Sequence, residues 1–208
     1  MVTTISARDI TFEQLENHFG LEEVEDEQFF WEWQGNMPEL SDVEKDMLDK
    51  LRAGYFNLLK HPPLLENSVK MAIISPLLFL ADFYLNPYYI KAEKSIQLEM
   101  KDEGVVVDGR IDVLVFKQQF WLTAIEAKQA AYSIEVGMPQ ILSYMLANPY
   151  PDKASFGLIT NGGYFLFLKL LNVGKPRYAT SNPFDLRRKG SNELYSVLRI
   201  LKHLAQLF

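Results

Sequence analysis

The chain has 208 residues, 48% of them hydrophobic, and a formal net charge of −6, with 27 acidic against 21 basic side chains and no cysteine. That length suits one ordered globular domain with a sizeable core and an accessory segment. The composition excludes thiol catalysis, disulfides and cysteine-based zinc sites, and His18, His61 and His203 lack zinc-ligand spacing.

The acidic balance argues against simple electrostatic capture of nucleic acid, but the charge is uneven. Residues 1–60 are strongly acidic, whereas residues 61–208 are slightly basic. The first segment is expected to be helical and to pack on a core formed by the second. It holds a short helix in "TFEQLENHF", an acidic stretch with "FFWEW", and a longer helix in "SDVEKDMLDKLRAGYFNLLK". Ser41 and Glu44 have the spacing of a capping box at the start of that helix, and "HPP" at 61–63 stops it. Burial of the "FFWEW" aromatics against the core or a subunit interface is the expected role of the segment, and a lid or DNA mimic is the alternative.

The next stretch, "LLENSVKMAIISPLLFLADFYL", is apolar around nearly its whole circumference and predicts a buried helix, kinked or restarted at Pro76. Its most apolar window is broken by Pro76 and Asp82 and is too short to span a bilayer. With an N-terminus lacking the apolar stretch of a signal peptide, and with no cysteine, the expectation is a soluble cytoplasmic protein without a membrane partner.

After "NPYY" the period changes to that of strands. "KAEKSIQLEMK" and "VVVDGRIDVLVF" are separated by the turn-like "DEG", and "KQQ" leads into "FWLTAIEAKQ". A helix from Ser133 to Ala147 follows, with Pro139 in its first turn or at a kink. "ASFGLIT" and "GYFLFLKLL" predict a hairpin closed by "NGG", and "SNELYSVLRILKHLAQLF" an amphipathic helix capped by Ser191 or Asn192. The order of helix, three strands, helix, two strands and helix gives an α/β (α+β) fold, with a central mixed sheet flanked by helices and an N-terminal helical extension. Arg187, Arg188 and Lys189 form the densest basic run, suited either to phosphate contact or to a solvated loop.

Charged residues are depleted in strands, yet "GRIDVLVFKQQFWLTAIEAK" carries Asp112, Glu126 and Lys128. A hairpin tip at 117–119 sets Asp112 opposite Glu126, and Lys128, two residues further on, shares the face of Glu126. Two opposed carboxylates destabilise a sheet unless something neutralises them. A divalent cation with oxygen ligands does so, and it also polarises a phosphodiester and activates water. Lys128 would then orient the nucleophile or stabilise developing charge. The alternative is that all three are solvated residues on an exposed sheet face.

The D…E-x-K arrangement resembles the PD-(D/E)xK nuclease superfamily, with Asp112, Glu126 and Lys128 matching its two acids and lysine; Ile111 stands where the usual proline would be. "MPQILSYMLANP" sets Gln140 and Tyr144 one helical turn apart. This resembles the Q-x-x-x-Y motif of RecB-type nucleases and of the N-terminal nuclease domain of type I restriction R subunits. In "LLENSVKMAIISPLLFL", Glu66 matches an acid that reaches the metal site in those domains, with Lys70 as its helical neighbour. Glu66 also fits the acidic first turn that the helix dipole favours.

The resemblance implies a restriction-endonuclease-like core over residues 61–208 and a Mg²⁺- or Mn²⁺-dependent DNA endonuclease. Metal would be held by Asp112, Glu126, the Ala127 carbonyl and Glu66, with Lys128 catalytic and Gln140 and Tyr144 in support. It does not cover residues 1–60. No G-x-x-x-x-G-K-S/T motif is present, so no motor is expected, and specificity is expected from DNA structure or from a restriction or specificity partner. A catalytically silent DNA-binding or interaction module in a defence complex is the alternative, and homo-oligomerisation stays open.

Overall fold

The computed structural model describes residues 3–35, 37–99, 105–117 and 120–207. The turns expected at 102–104 and at Gln118 and Gln119 lie outside these residues. Along the chain run β1 (Thr3–Ser6), α1 (Phe12–Phe19), β2 (Glu22–Glu23) and α2 (Asp42–Leu58). Then come α3 (Glu66–Val69), a π-helical turn (Lys70–Ile74) and α4 (Ser75–Leu80). Strands β3 (Tyr88–Glu99), β4 (Val105–Lys117) and β5 (Phe120–Ala127) precede α5 (Met138–Leu146). The chain continues as β6 (Ser155–Thr160), β7 (Tyr164–Leu171), β8 (Arg177–Thr180), β9 (Phe184–Asp185) and α6 (Leu194–Gln206).

The fold is α/β: the nine strands among the described residues join one mixed sheet, with helices on both faces. β6 and β7 are covered on both sides, which explains why "SFGLIT" and "YFLFLKLL" read as almost unbroken apolar runs. On one face α2, the α3–α4 stretch and α6 bury Leu48, Ile73, Leu77, Val197 and Leu201 against Phe156 and Phe167. On the other, α1 and α5 bury Leu15, Ile141 and Leu142 against Ile111, Leu114, Ile159 and Leu168.

Local signals act as their chemistry dictates. Ser41 and Glu44 form the capping box of α2, and Thr11 and Gln14 form another on α1. Pro139 lies in the first turn of α5, where its missing N–H costs nothing. Around Pro76 the chain neither stops nor restarts. The turn just before the proline widens to π geometry, a common way for a helix to absorb an irregularity in its ladder. In the β6–β7 hairpin the Asn161 side-chain oxygen Oδ1 accepts the N–H groups of Gly163 and Tyr164, and Gly162 takes φ +85°, which its lack of a Cβ allows.

Three details differ from the sequence reading. Residues 1–60 contribute strands as well as helices: β1 runs parallel to β4, and β2 parallel to β8. Both strands are too short to show a period of two. The α5 helix starts at Met138 after a 3-10 turn at Glu135–Gly137. The α6 helix starts at Leu194 with Glu193 at the cap position, although the Asn192 side chain still accepts the Leu194 N–H.

In "FFWEW", Phe30 is buried and Trp33 packs edge-on against Phe184, but Trp31 is half exposed. The segment also buries Glu32 in an ion pair with Lys169 of β7. Removing one partner of a buried pair strands the other charge. Glu32→Ala is therefore expected to lower unfolding stability in urea by about 3 to 5 kcal/mol, and Glu32→Leu combined with Lys169→Leu to recover most of that loss.

Candidate active site at a gap in the sheet

β4 has two edges. β3 runs antiparallel along one of them from Val106 to Lys117. The other is shared by two strands, β1 along residues 105–108 and β5 along residues 113–117. Between them residues 109–112, "GRID", form no ladder pair on that side among the described residues. The β3 ladder also skips the position opposite Asp112, where Glu93 takes φ +52°. Apolar alternation breaks here too: Val107 and Ile111 pack on the α5 side, whereas Val113 and Val115 pack on the α2–α6 side. Asp112 thus stands at an irregularity that frees its backbone and turns its side chain into the fork between β4 and β5.

Side chains fill the gap. Asp112 Oδ2 accepts the Ala127 N–H at 2.9 Å, the bond that a continuing ladder would have given to a carbonyl. The other oxygen, Oδ1, accepts from Lys70 Nζ at 2.9 Å, with both side chains largely buried. On the α5 side Lys128 Nζ donates to Glu126 Oε1 at 2.9 Å and to Gln140 Oε1 at 2.6 Å. Gln140 Nε2 donates to Tyr144 Oη at 2.8 Å, and the Tyr144 hydroxyl donates to the Arg110 carbonyl at 3.0 Å. Lysine can only donate, so the amide orientation follows, and every bond from Lys128 to Arg110 is polarised in the same sense.

The sequence-predicted residues therefore fall into two groups that meet at the fork. Glu126, Lys128, Gln140 and Tyr144 form a connected chain beneath α5, while Asp112 reaches in from the α3 side and bonds to the backbone of Ala127. The register matches the sequence reading in that Val113 pairs Ile125, one step before Asp112 and Glu126. The apolar alternation of β4 switches faces between Ile111 and Val113, so the strict two-residue period behind the sequence reading does not run through Asp112. Glu66, in the first turn of α3, joins through its charge, which bears on Glu126. Among the described residues, no three His, Asp or Glu side chains converge as a metal-binding group.

Sequence reasoning missed three contributors. Lys70 appeared only as a neighbour of Glu66, and a single ammonium on a buried helix gives no signal of its partner. Gly137 leaves room for Lys128: a Cβ there would lie 2.5 Å from Lys128 Cε. Gly109 leaves room for the Tyr144 ring, 2.8 Å from where its own Cβ would be. Of the basic run, Arg188 pairs with Glu193 and all three side chains are exposed.

Burial is the main cause of the electrostatic shifts. It drives the Glu126 carboxyl up to about 7, reinforced by Asp112 and Glu66 and opposed by Lys128. It also raises the Tyr144 hydroxyl to about 12, with Glu126 adding to the effect, so this hydroxyl remains a donor at neutral pH. Among the described residues, Glu126 Oε2 is buried with no hydrogen-bond partner.

No family model matches the chain, and no curated protein sequence matches it. Among solved structures it is similar to a fragment described as an HsdR subunit of a type I restriction enzyme from Vibrio vulnificus YJ016. That similarity is at 19% identity with a TM-score of 0.40, and it covers 68% of this chain and 26% of that one. No helix among the described residues is long and apolar enough to cross a membrane.

Two measurements test this site. The folded chain holds the Glu126 proton more tightly than the unfolded chain, whose carboxyl titrates near 4.5. Stability therefore falls as pH rises from about 4.5 to about 7, and the full cost applies above that. Relative to Glu126→Gln, the wild type should lose on the order of 3 kcal/mol between pH 4 and pH 8 in denaturant titrations. Gly137→Ala should push Lys128 off Glu126 and move the Glu126 side-chain carbon titration, followed by NMR, to higher pH than in wild type.

Proposed function

We propose that the chain is a metal-dependent deoxyribonuclease of the PD-(D/E)xK type, hydrolysing a DNA phosphodiester at the fork between β4 and β5. The observation that carries this reading is the buried, unpartnered Oε2 of Glu126 beside the carboxylate of Asp112. An orphaned acceptor of this kind is costly unless a cation or donor completes it. A buried carboxylate whose proton affinity is raised by a second one nearby suits a hard divalent ion, so the donor set fits Mg²⁺ or Mn²⁺. The mixed sheet flanked by helices is consistent with a restriction-endonuclease-like core.

In this reading Asp112 and Glu126 hold the metal together with the Ala127 carbonyl, and Glu66 adds negative charge at the edge. When bound, the ion would polarise the scissile phosphate and lower the pKa of a water. Lys128 supplies the positive charge that faces the attacking water and the developing phosphorane. Gln140 fixes the Lys128 ammonium by accepting one of its protons, and Tyr144 ties Gln140 to the exposed backbone of β4. DNA is the proposed partner, and site selection falls to DNA structure or to a specificity protein.

One observation favours a second reading, in which the fold binds DNA or a defence partner without turnover. Each carboxylate already carries an internal ammonium, Lys70 on Asp112 and Lys128 on Glu126.

Supercoiled DNA should be nicked in Mg²⁺ or Mn²⁺, and Asp112→Ala and Lys128→Ala should each lower the rate at least about a hundredfold. Equal residual nicking by wild type and both variants would assign the activity to a contaminant and remove the enzymatic reading. DNA binding without nicking in any metal would establish the silent module.

A further inference from the structure

The four charges at the fork are two carboxylates and two ammoniums, but the two pairs are built differently. Lys128 is shared: it bonds Glu126 and Gln140 together, and the line of hydrogen bonds through Tyr144 holds it in place. Among the described residues, Lys70 has Asp112 as its acceptor and no second tether of that kind. It begins the π-helical turn, at a break in the regular helix ladder. It also lines a groove of about 370 Å³ that opens beside the fork, with Asn67, Met71, Tyr84, Glu93 and Asp112 around it.

We infer that Lys70 is a built-in counter-cation, a positioning residue that holds Asp112 until a divalent ion displaces it and so sets the metal affinity of the site. This rests on the metal-dependent reading above. Asp112 has both oxygens engaged, one by the Ala127 N–H and one by Lys70, whereas Glu126 has one oxygen free. An incoming dication finds Glu126 Oε2 ready but meets the Lys70 ammonium at Asp112 Oδ1. Two cations on one carboxylate oxygen repel at short range in a largely buried setting, so the monovalent, untethered one gives way. Lys128 stays where it is. The arrangement keeps the carboxylate pair neutralised without metal, which lets the fork fold, and it weakens metal binding as a consequence. Removing the Lys70 charge removes the competitor.

The test is Mn²⁺ binding to the full chain without DNA, by calorimetry at fixed pH. Lys70→Gln should bind Mn²⁺ roughly ten-fold tighter than wild type or more, Lys70→Arg should bind like wild type, and Asp112→Asn should bind much more weakly. Equal affinity in wild type and Lys70→Gln, with Asp112→Asn still impaired, overturns the counter-cation and leaves the metal site standing. Absence of Mn²⁺ binding by every form overturns both. Should Lys70→Gln fail to fold, the wild type supplies the measurement. With ¹³Cε-labelled lysine, the Lys70 signal, assigned through Lys70→Arg, should shift as Mg²⁺ is added and the ammonium leaves Asp112. An unmoved signal at metal saturation overturns the inference.

Discussion

The site depends on one constraint: a strand has only two edges, and β4 must serve three partners. β3 takes one edge, so β1 and β5 divide the other and leave a gap at "GRID". Backbone polar groups left without a ladder partner at such a gap take partners from elsewhere. The Tyr144 hydroxyl supplies one for the Arg110 carbonyl, and the Asp112 carboxylate supplies one for the Ala127 N–H. Two residues with proposed functional roles are thus also the repair of the sheet. Gly109 belongs to the same solution, because a side chain there would drive the Tyr144 ring out and unpin α5.

The second consequence is electrostatic. Filling the gap with charge brings Asp112 and Glu126 close enough to raise the Glu126 carboxyl, even though Lys128 touches it directly. Burial outweighs the ion pair because the carboxylate loses nearly all its hydration and regains only one hydrogen bond. Packing alone gives no reason to retain such an arrangement, since apolar side chains of similar volume would fill the space at lower cost. Perturbed, costly carboxylates of this kind concentrate at functional sites. The geometry supports the candidate site on that ground independently of any resemblance.

Much of this was legible in the sequence because it is written in local chemistry. The capping box at Ser41, the proline in the first turn of α5, the Asn-Gly-Gly hairpin and the long strands all follow from residue type and spacing. The hairpin register was legible as well. The switch of faces at Asp112 was not. It coincides with a positive φ at Glu93, a residue type with no preference for that conformation. The pairing of Lys70 with Asp112 joins positions 42 residues apart through a helix whose apolar pattern reports only burial. The short strands β1, β2 and β9 carry too few residues to display a period.

Those short strands decide how the acidic first segment relates to the site. β1 pairs with β4 only as far as Asp108, and the Ala7 N–H then bonds the Asp108 carbonyl as the chain turns away. The Ala7 side chain lies against Gly109, where a Cβ would be 2.5 Å from it. Had β1 run four residues further, it would have zipped up the edge that Tyr144 and Asp112 now occupy. A shorter β1 would have left Val106 and Val107 open to other pairing. The length of β1 therefore sets one end of the gap as surely as β5 sets the other. A segment outside residues 61–208 thus fixes one dimension of the candidate site.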